Sequence, residues 1–285
     1  MTTTVDVPSI EQTARRVRCL IVEMTAAAGS GHPGGSLSAA DIAATLYLGV
    51  MRHDPACPDW PERDRFILSK GHAAPLIYAV LAEAGYLPVE ELSSLRKLGS
   101  RLQGHPDSTK LPGIEVSTGS LGQGLSVAAG IALGLRLQGN VASRVYCLLG
   151  DGELQEGSIW EAAMFAAHHG LDSVTAVVDA NGLQIDGPVD EIVRVQPIAE
   201  KFRAFGWEAI PVDGHDIAAL LEAFARARKT VGRPTVLVAD TVKGAGVSFM
   251  EGRCEWHGVA PTAEQAERAL AELWGAEPPG EEAGR

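Results

Sequence analysis

The chain has 285 residues, 46% of them hydrophobic, with 24 Lys and Arg against 36 Asp and Glu for a net charge of −12. That length holds one large core or two small ones, and the acidic balance excludes a general nucleic-acid or membrane-surface binder, which would need to attract polyanions. An anionic ligand would meet the same repulsion, so any bound phosphate group calls for a cation beside it.

Taken in order, Ile10 to Ala28 has apolar residues at helical spacing (Ile10, Ala14, Val17, Leu20, Ile21, Met24) and stops at Gly29-Ser30-Gly31. Ser38 to Val50 reads as a second helix with Ser38 as its N-cap and Asp41 in its first turn. Asp54 to Asp64, with three prolines, is a loop; Arg65 to Ser69 is a short strand that runs through Lys70-Gly71-His72 into a helix ending at Ala84. Leu98 to Gly124 is long, glycine-rich and without periodicity, the kind of segment that is functional or disordered in a compact domain. A small-residue helix, Gly124 to Gly139, follows.

From there strand and helix alternate. Val145–Leu149 precedes a helix over Ser158–His169, and Val174–Asp179 precedes a loop through Val195. Trp207–Val212, Ile217–Val231 and Thr235–Asp240 continue as strand, helix and strand; 196–206 carries no element in this reading. Repeated β-then-α units imply an α/β fold with a mainly parallel sheet and helices on both faces. In such sheets ligands sit beyond the carboxyl ends of the strands. After Pro261 come a short amphipathic helix and the polar end Glu277–Glu282, expected to be mobile.

Four scattered cysteines without a Cys-x-x-Cys pair suit a reducing cytoplasm, with Cys147 as an apolar filler in a strand. Met1 to Gln12 lacks the basic-then-apolar pattern of a signal peptide. No apolar run nears the roughly 20 residues that span a bilayer. The expectation is a soluble, cytoplasmic protein.

Two strand ends carry hard oxygen ligands. Val145–Leu149 leads into Gly150-Asp151-Gly152-Glu153, and Val174–Val178 leads toward Asn181-Gly182-Leu183. If these strands are neighbours, Asp151 and Asn181 meet at one sheet edge, where they suit Mg²⁺ completing its shell with phosphate oxygens and water. Ser117 to Gly124 contributes three glycines before a helix start, whose free N–H groups could face an anion. His32, His72, His105 and His257 lie in glycine-bordered loops, where imidazoles can exchange hydrogen bonds and protons with sugar hydroxyls. His53, His168 and His169 read as structural or surface residues, and His215 as a capping residue. Lys70 and Lys243 are either solvated or stabilise charge at the site. No G-x-S-x-G, H-E-x-x-H or P-loop is present.

Taken together, Ser30-Gly31-His32-Pro33-Gly34-Gly35, Ser69-Lys70-Gly71-His72, Gly104-His105-Pro106, Thr118 to Gly124, Gly150 to Gly157, Asn181-Gly182-Leu183 and Trp256-His257-Gly258 resemble the N-terminal half of a transketolase, from about Arg15 to Pro261. The resemblance implies a thiamine-diphosphate-binding fold over 1–261, with 262–285 as a short helix and tail. It implies a metal held by Asp151, Asn181 and the Leu183 carbonyl, which is Mg²⁺ or another divalent cation such as Ca²⁺ or Mn²⁺. It places His72, Gly119, Leu121, Gly152, Asn181 and His257 at the cofactor, and His32, His105 and His257 at the sugar substrate. Glu156 resembles a glutamate near the subunit interface that links cofactor sites.

Transketolases are about twice this length, and their second half supplies the glutamate that activates the cofactor. The chain is therefore similar to the first subunit of a split transketolase. It is expected to assemble as α2β2 with a C-terminal subunit that carries the pyrimidine-binding domain, and to act on sugar phosphates only with that partner. Another thiamine-dependent enzyme, such as a sugar-phosphate synthase or a 2-oxoacid dehydrogenase, is the alternative, with a non-catalytic cofactor-binding homologue behind it. Val259 stands where many relatives carry lysine.

Overall fold

A computed structural model describes residues 6–275; the polar end Glu277–Glu282 lies outside them. Its centre is a five-stranded sheet. The strands are β1 (Arg65–Leu68), β2 (Val145–Gly150) and β3 (Val174–Ala180), then, beyond a two-residue hairpin of β4 (Leu183–Gln184) and β5 (Gly187–Pro188), β6 (Glu208–Asp213) and β7 (Thr235–Asp240). The order across the sheet is β1-β2-β3-β7-β6 and every pairing in it is parallel. β2 and β3 are hydrogen-bonded neighbours, with Gly150 opposite Asp179, so the condition attached to Asp151 and Asn181 is met.

Both faces of the sheet are covered, which is why its strands read as unbroken apolar runs. Alternate residues divide between two cores. Tyr146, Leu148, Val177 and Leu237 face the layer built from Val7–Ala28, Ala74–Glu83, Ile217–Lys229 and the helix Ala263–Trp274. Val145, Cys147, Leu149, Ala176, Val178 and Val236 face Gln123–Leu137, Gly157–His168 and Ile198–Ala204. The buried Cys147 is filler, as expected. Among the described residues no helix is long and apolar enough to cross a membrane.

Most elements fall where periodicity places them, and the differences have local causes. Val7–Ala28 ends at Gly29, whose φ of 59° is the left-handed closure that glycine adopts without strain. Ser38 is not an N-cap: a short helix, Pro33–Leu37, occupies the region before it, and its hydroxyl is spent on Asp179. Ile198–Ala204 escaped the periodic reading because its seven residues are too few to display a helical repeat. The stretch 98–124 has little regular structure but is anchored by fully buried Leu102 and nearly buried Leu111.

Trp207 anchors the second core. It is 2% exposed, packs edge-on against Phe202 and donates its indole N–H to the Ala163 carbonyl at 2.9 Å. Trp207→Ala should lower the unfolding free energy by about 3–5 kcal/mol. Trp207→Phe, which keeps an aromatic ring but loses the indole hydrogen bond to a carbonyl that still has its helical partner, should cost less, about 0.5–1.5 kcal/mol. Urea titration followed by circular dichroism measures both.

Candidate active site

Every strand of the sheet delivers a polar group at its carboxyl end. Ser69 and Lys70 follow β1, Asp151 and Glu153 follow β2, Asp179 and Asn181 close β3, Thr241 and Lys243 follow β7, and His215 follows β6. Of these, Lys70, Asp151, Glu153, Asn181 and Lys243 line one cavity, together with Gly35, His72, Leu121, Gly152, Glu156, Leu183 and His257.

Asp179 is the buried centre of this edge, with no exposed surface. Its carboxylate accepts from Lys70, Ser38 and Thr241, and at 3.2 Å from Asn181 Nδ2. Burial alone would raise its pKa; Lys70 and the two hydroxyls overrule burial and hold it below the ordinary carboxylate range. With its amide nitrogen so engaged, Asn181 has its Oδ1 assigned as the free oxygen, which also accepts from Leu183 N–H at 3.1 Å. Sequence reasoning passed over Asp179, although an acid inside an apolar strand run was the available signal.

Asp151 is fastened by two backbone donors, Gly152 N–H to Oδ1 at 2.8 Å and Gly182 N–H to Oδ2 at 2.6 Å. Burial first, and then Asp179, push its pKa up to about 6. A buried carboxylate this reluctant to ionise is a place where a cation would be welcome. Among the described residues no group of three His, Cys, Asp or Glu could hold a metal. The donors on offer are instead Asp151, Asn181 Oδ1 and the Leu183 carbonyl, all hard oxygens of the kind Mg²⁺ takes. The Leu183 oxygen already accepts from Lys243 Nζ at 3.1 Å, but a carbonyl has a second lone pair. The set therefore fits a divalent cation.

The lysines are not solvated. Lys70 is 1% and Lys243 2% exposed. Lys70 also donates to Gly35 O at 2.9 Å, and Lys243 to His257 Nδ1 at 3.0 Å. Burial and the neighbouring Lys70 lower Lys243 to about 8, which leaves it mostly charged at neutral pH. Two ammonium groups thus face the cavity floor in an otherwise acidic chain.

Above them the four loop histidines come together. His72 stacks on His257 with ring centres 4.9 Å apart, and His32 stands 5.5 Å from His72, 5.6 Å from His257 and 6.4 Å from His105. Burial, reinforced by the nearby cations, lowers His32 to about 4 and His257 to about 3, and holds His72 well below its usual value. These rings are neutral at pH 7, each with one donor and one acceptor nitrogen.

The glycine loop behaves differently from its reading as an anion cradle. The helix Gln123–Leu137 does begin there, but its anion is the chain's own: Glu153 accepts from Gly122 N–H at 2.8 Å, from Gly150 N–H at 3.1 Å and from Ser69. A Cβ on Gly124 would lie 2.3 Å from Ser69 Oγ, and one on Gly71 would lie 2.6 Å from Gly119 N. These glycines let one loop touch another. Gly119 sits against His105, whose ring carbon would be 3.0 Å from an added Cβ, and Leu121 and the exposed Glu156 line the rim of the cavity.

The remaining histidines divide as follows. His53 is held between the Tyr47 carbonyl and Tyr86, and His168 and His169 end a surface helix. His215 does not cap a helix; Asp216 does. His215 instead bridges Asp41 at 2.7 Å and Val242 N–H at 2.9 Å, bracing the segment that carries Lys243.

Removing one partner of a buried ion pair strands the other charge. Lys70→Met should cost about 3–5 kcal/mol at pH 7. Asp179 has a folded pKa below its unfolded value, so the pair's stabilisation is full above about pH 4 and is lost as pH falls through the folded pKa. The Lys70→Met deficit should accordingly shrink below pH 4, and Lys70→Met/Asp179→Leu should recover most of it at pH 7. A deficit independent of pH in denaturant titrations would contradict the pair's role.

The family model described as "Transketolase, thiamine diphosphate binding domain" matches residues 9–281. The chain is 43% identical over 264 residues to the 6-deoxy-6-sulfo-D-fructose transketolase subunit SqwG of Clostridium sp. (strain MSTE9), covering 93% of this chain and 96% of that one. It is 42% identical over 265 residues to one subunit of the apulose-4-phosphate transketolase of Actinobacillus succinogenes, covering 93% and 95%. The solved transketolase from Leishmania mexicana superposes with a TM-score of 0.87 at 36% identity, over 93% of this chain and 41% of that longer one. The chain belongs to the transketolase family, as its thiamine diphosphate binding domain.

Proposed function

We propose that this chain is the diphosphate-binding subunit of a two-subunit transketolase, which moves a two-carbon ketol unit from a ketose phosphate to an aldose phosphate. The observation that carries the proposal is the meeting of Asp151, Asn181 and Leu183 with Lys70, Lys243, His72 and His257 around one cavity, with His32 packed against both of those rings and His105 beside His32. Two relatives of nearly this chain's length bear names of transketolase subunits, which supports a second chain supplying the pyrimidine-binding domain in an α2β2 assembly.

In this reading Asp151, Asn181 Oδ1 and the Leu183 carbonyl hold Mg²⁺, for which Ca²⁺ or Mn²⁺ can substitute. His72, Gly119, Leu121, Gly152, Asn181 and His257 contact the cofactor, and the Lys243 ammonium offsets diphosphate charge. Thiamine diphosphate, when bound, supplies the nucleophilic carbon and the electron sink that carbon–carbon cleavage requires. The protein's task is to orient the sugar and move protons. His32 and His257, whose Nδ1 atoms accept from Arg96 and Lys243, offer Nε2–H donors to substrate oxygens, and His105 can take up and return the hydroxyl proton as the bond breaks and re-forms. Glu156, exposed on the cavity rim, is positioned to link cofactor sites across the contact with a neighbouring subunit. Three or four imidazoles are more than a simple 2-oxoacid needs; they suit a polyhydroxylated substrate.

Turnover should require both chains: the purified chain alone should show little ketol transfer, and adding the partner should restore it with ketose phosphate as donor. Pyruvate used in preference to a ketose phosphate would point to the 2-oxoacid alternative. In the assembly, Asp151→Ala should abolish Mg²⁺-dependent cofactor binding by calorimetry, and unchanged affinity would refute the metal assignment. Because Asp151 has a pKa of about 6, a proton competes with the cation below that pH. Cofactor affinity should therefore fall about tenfold per pH unit as pH drops below 6, stay level between about 6 and 8, and weaken again as Lys243 loses its proton above that.

A further inference from the structure

Arg96 is the only residue other than glycine with a positive φ, 58°, among those described, a conformation disfavoured for any residue with a Cβ. Such strain persists only where the surroundings over-determine it, and here they do. Leu95 and Leu102, 1% and 0% exposed, pin both sides of the loop. Arg96 N–H donates to Leu102 O at 2.9 Å, and Tyr78 holds the Gln103 carbonyl at 2.9 Å. The result aims an exposed arginine back at the histidine cluster. Its Nη1 donates to Ser30 Oγ at 2.6 Å and its Nη2 lies 3.3 Å from His32 Nδ1.

A guanidinium has donors and no acceptor. His32 Nδ1 can meet it only with a bare lone pair, so in the neutral ring the proton belongs on Nε2. That edge of the ring points the other way, toward Gly258, where a Cβ would be 3.7 Å from Nε2. Gly104 completes the arrangement. A Cβ there would come within 3.0 Å of Arg96 Nε and 3.2 Å of Cζ, so the glycine of Gly104-His105-Pro106 makes room for the guanidinium.

We propose that Arg96 is a positioning residue for the reaction: its guanidinium locks His32 as the Nε2–H tautomer, so that His32 meets the substrate as a neutral hydrogen-bond donor. The role of His32 toward substrate rests on the function proposed above; the tautomer does not. The titratable and charged groups that face His32 are Arg96, Lys243, His72, His105 and His257, with no carboxylate among them. Burial and this company disfavour imidazolium and lower His32 to about 4. A neutral imidazole that donates can polarise a developing oxyanion without giving up its proton beforehand.

The test is long-range ¹H–¹⁵N NMR of the cofactor-free full chain labelled with ¹⁵N-histidine, with His32 assigned through His32→Gln. The wild type should show a protonated Nε2 and a bare Nδ1 from pH 6 to 8. Arg96→Met should mix the two tautomers and raise the His32 midpoint by about one pH unit. Gly104→Ala, which displaces the guanidinium while leaving the arginine in place, should move the spectrum the same way. A protonated Nδ1 in the wild type, or an unmoved tautomer in Arg96→Met, overturns the proposal; if Arg96→Met does not fold, Gly104→Ala decides by the same criterion. In the assembled enzyme, Arg96→Met should cost no further kcat on a His32→Gln background. The NMR outcome needs neither cofactor nor turnover, so it fails independently of the proposed function.

Discussion

The carboxylate of Asp179 ends a central strand in complete burial, and the geometry of the site radiates from it. Lys70 reaches it from the end of β1, Ser38 from the helical layer, Thr241 from the end of β7, and Asn181 from two residues along its own chain. A buried ion pair contributes little net stability, because desolvating two charges offsets most of their attraction. Its effect here is on placement. The pair ties three separate loops to one point, and each of those loops carries a side chain into the cavity.

A second internal carboxylate, Glu153, has the matching role at the neighbouring strand. It joins Ser69 after β1, Gly150 at the end of β2 and Gly122 at the start of the helix Gln123–Leu137. The two acids therefore bracket Asp151, whose own oxygens are occupied by backbone donors along one side and turned to the cavity along the other. Fixing loops with buried charge costs less here than it would elsewhere, since almost every lone pair and proton has found a partner. It also leaves a floor whose unbalanced carboxylate invites a cation, beside ammonium groups suited to an anion.

The histidine layer above obeys a different rule. His32, His72 and His257 are kept neutral by desolvation and by the neighbouring Arg96, Lys70 and Lys243, and hydrogen bonds to pure donors decide which nitrogen carries the proton in two of them. Lys243 leaves His257 Nδ1 as an acceptor, just as Arg96 leaves His32 Nδ1 as one. Charge below and oriented neutral dipoles above suit a ligand with an anionic tail buried deep and polar, uncharged groups nearer the mouth.

Much of this was legible in the chain. Unbroken apolar runs such as Val145–Leu149 and Val174–Val178 meant strands buried on both faces, and the turns after them announced Asp151 and Asn181, because local alternation and glycine placement are encoded over a few residues. Glycine-bordered histidines could be nominated for the same reason. What could not be read is anything that depends on contacts between residues far apart in the chain: that Ser38 serves Asp179 instead of capping a helix, that Glu153 occupies the helix start assigned to a ligand, that His215 braces Lys243's segment, and that Lys70 and Lys243 are buried. A polar residue's type states which bonds it can form; only the packed sheet and its layers decide which partner stands within reach.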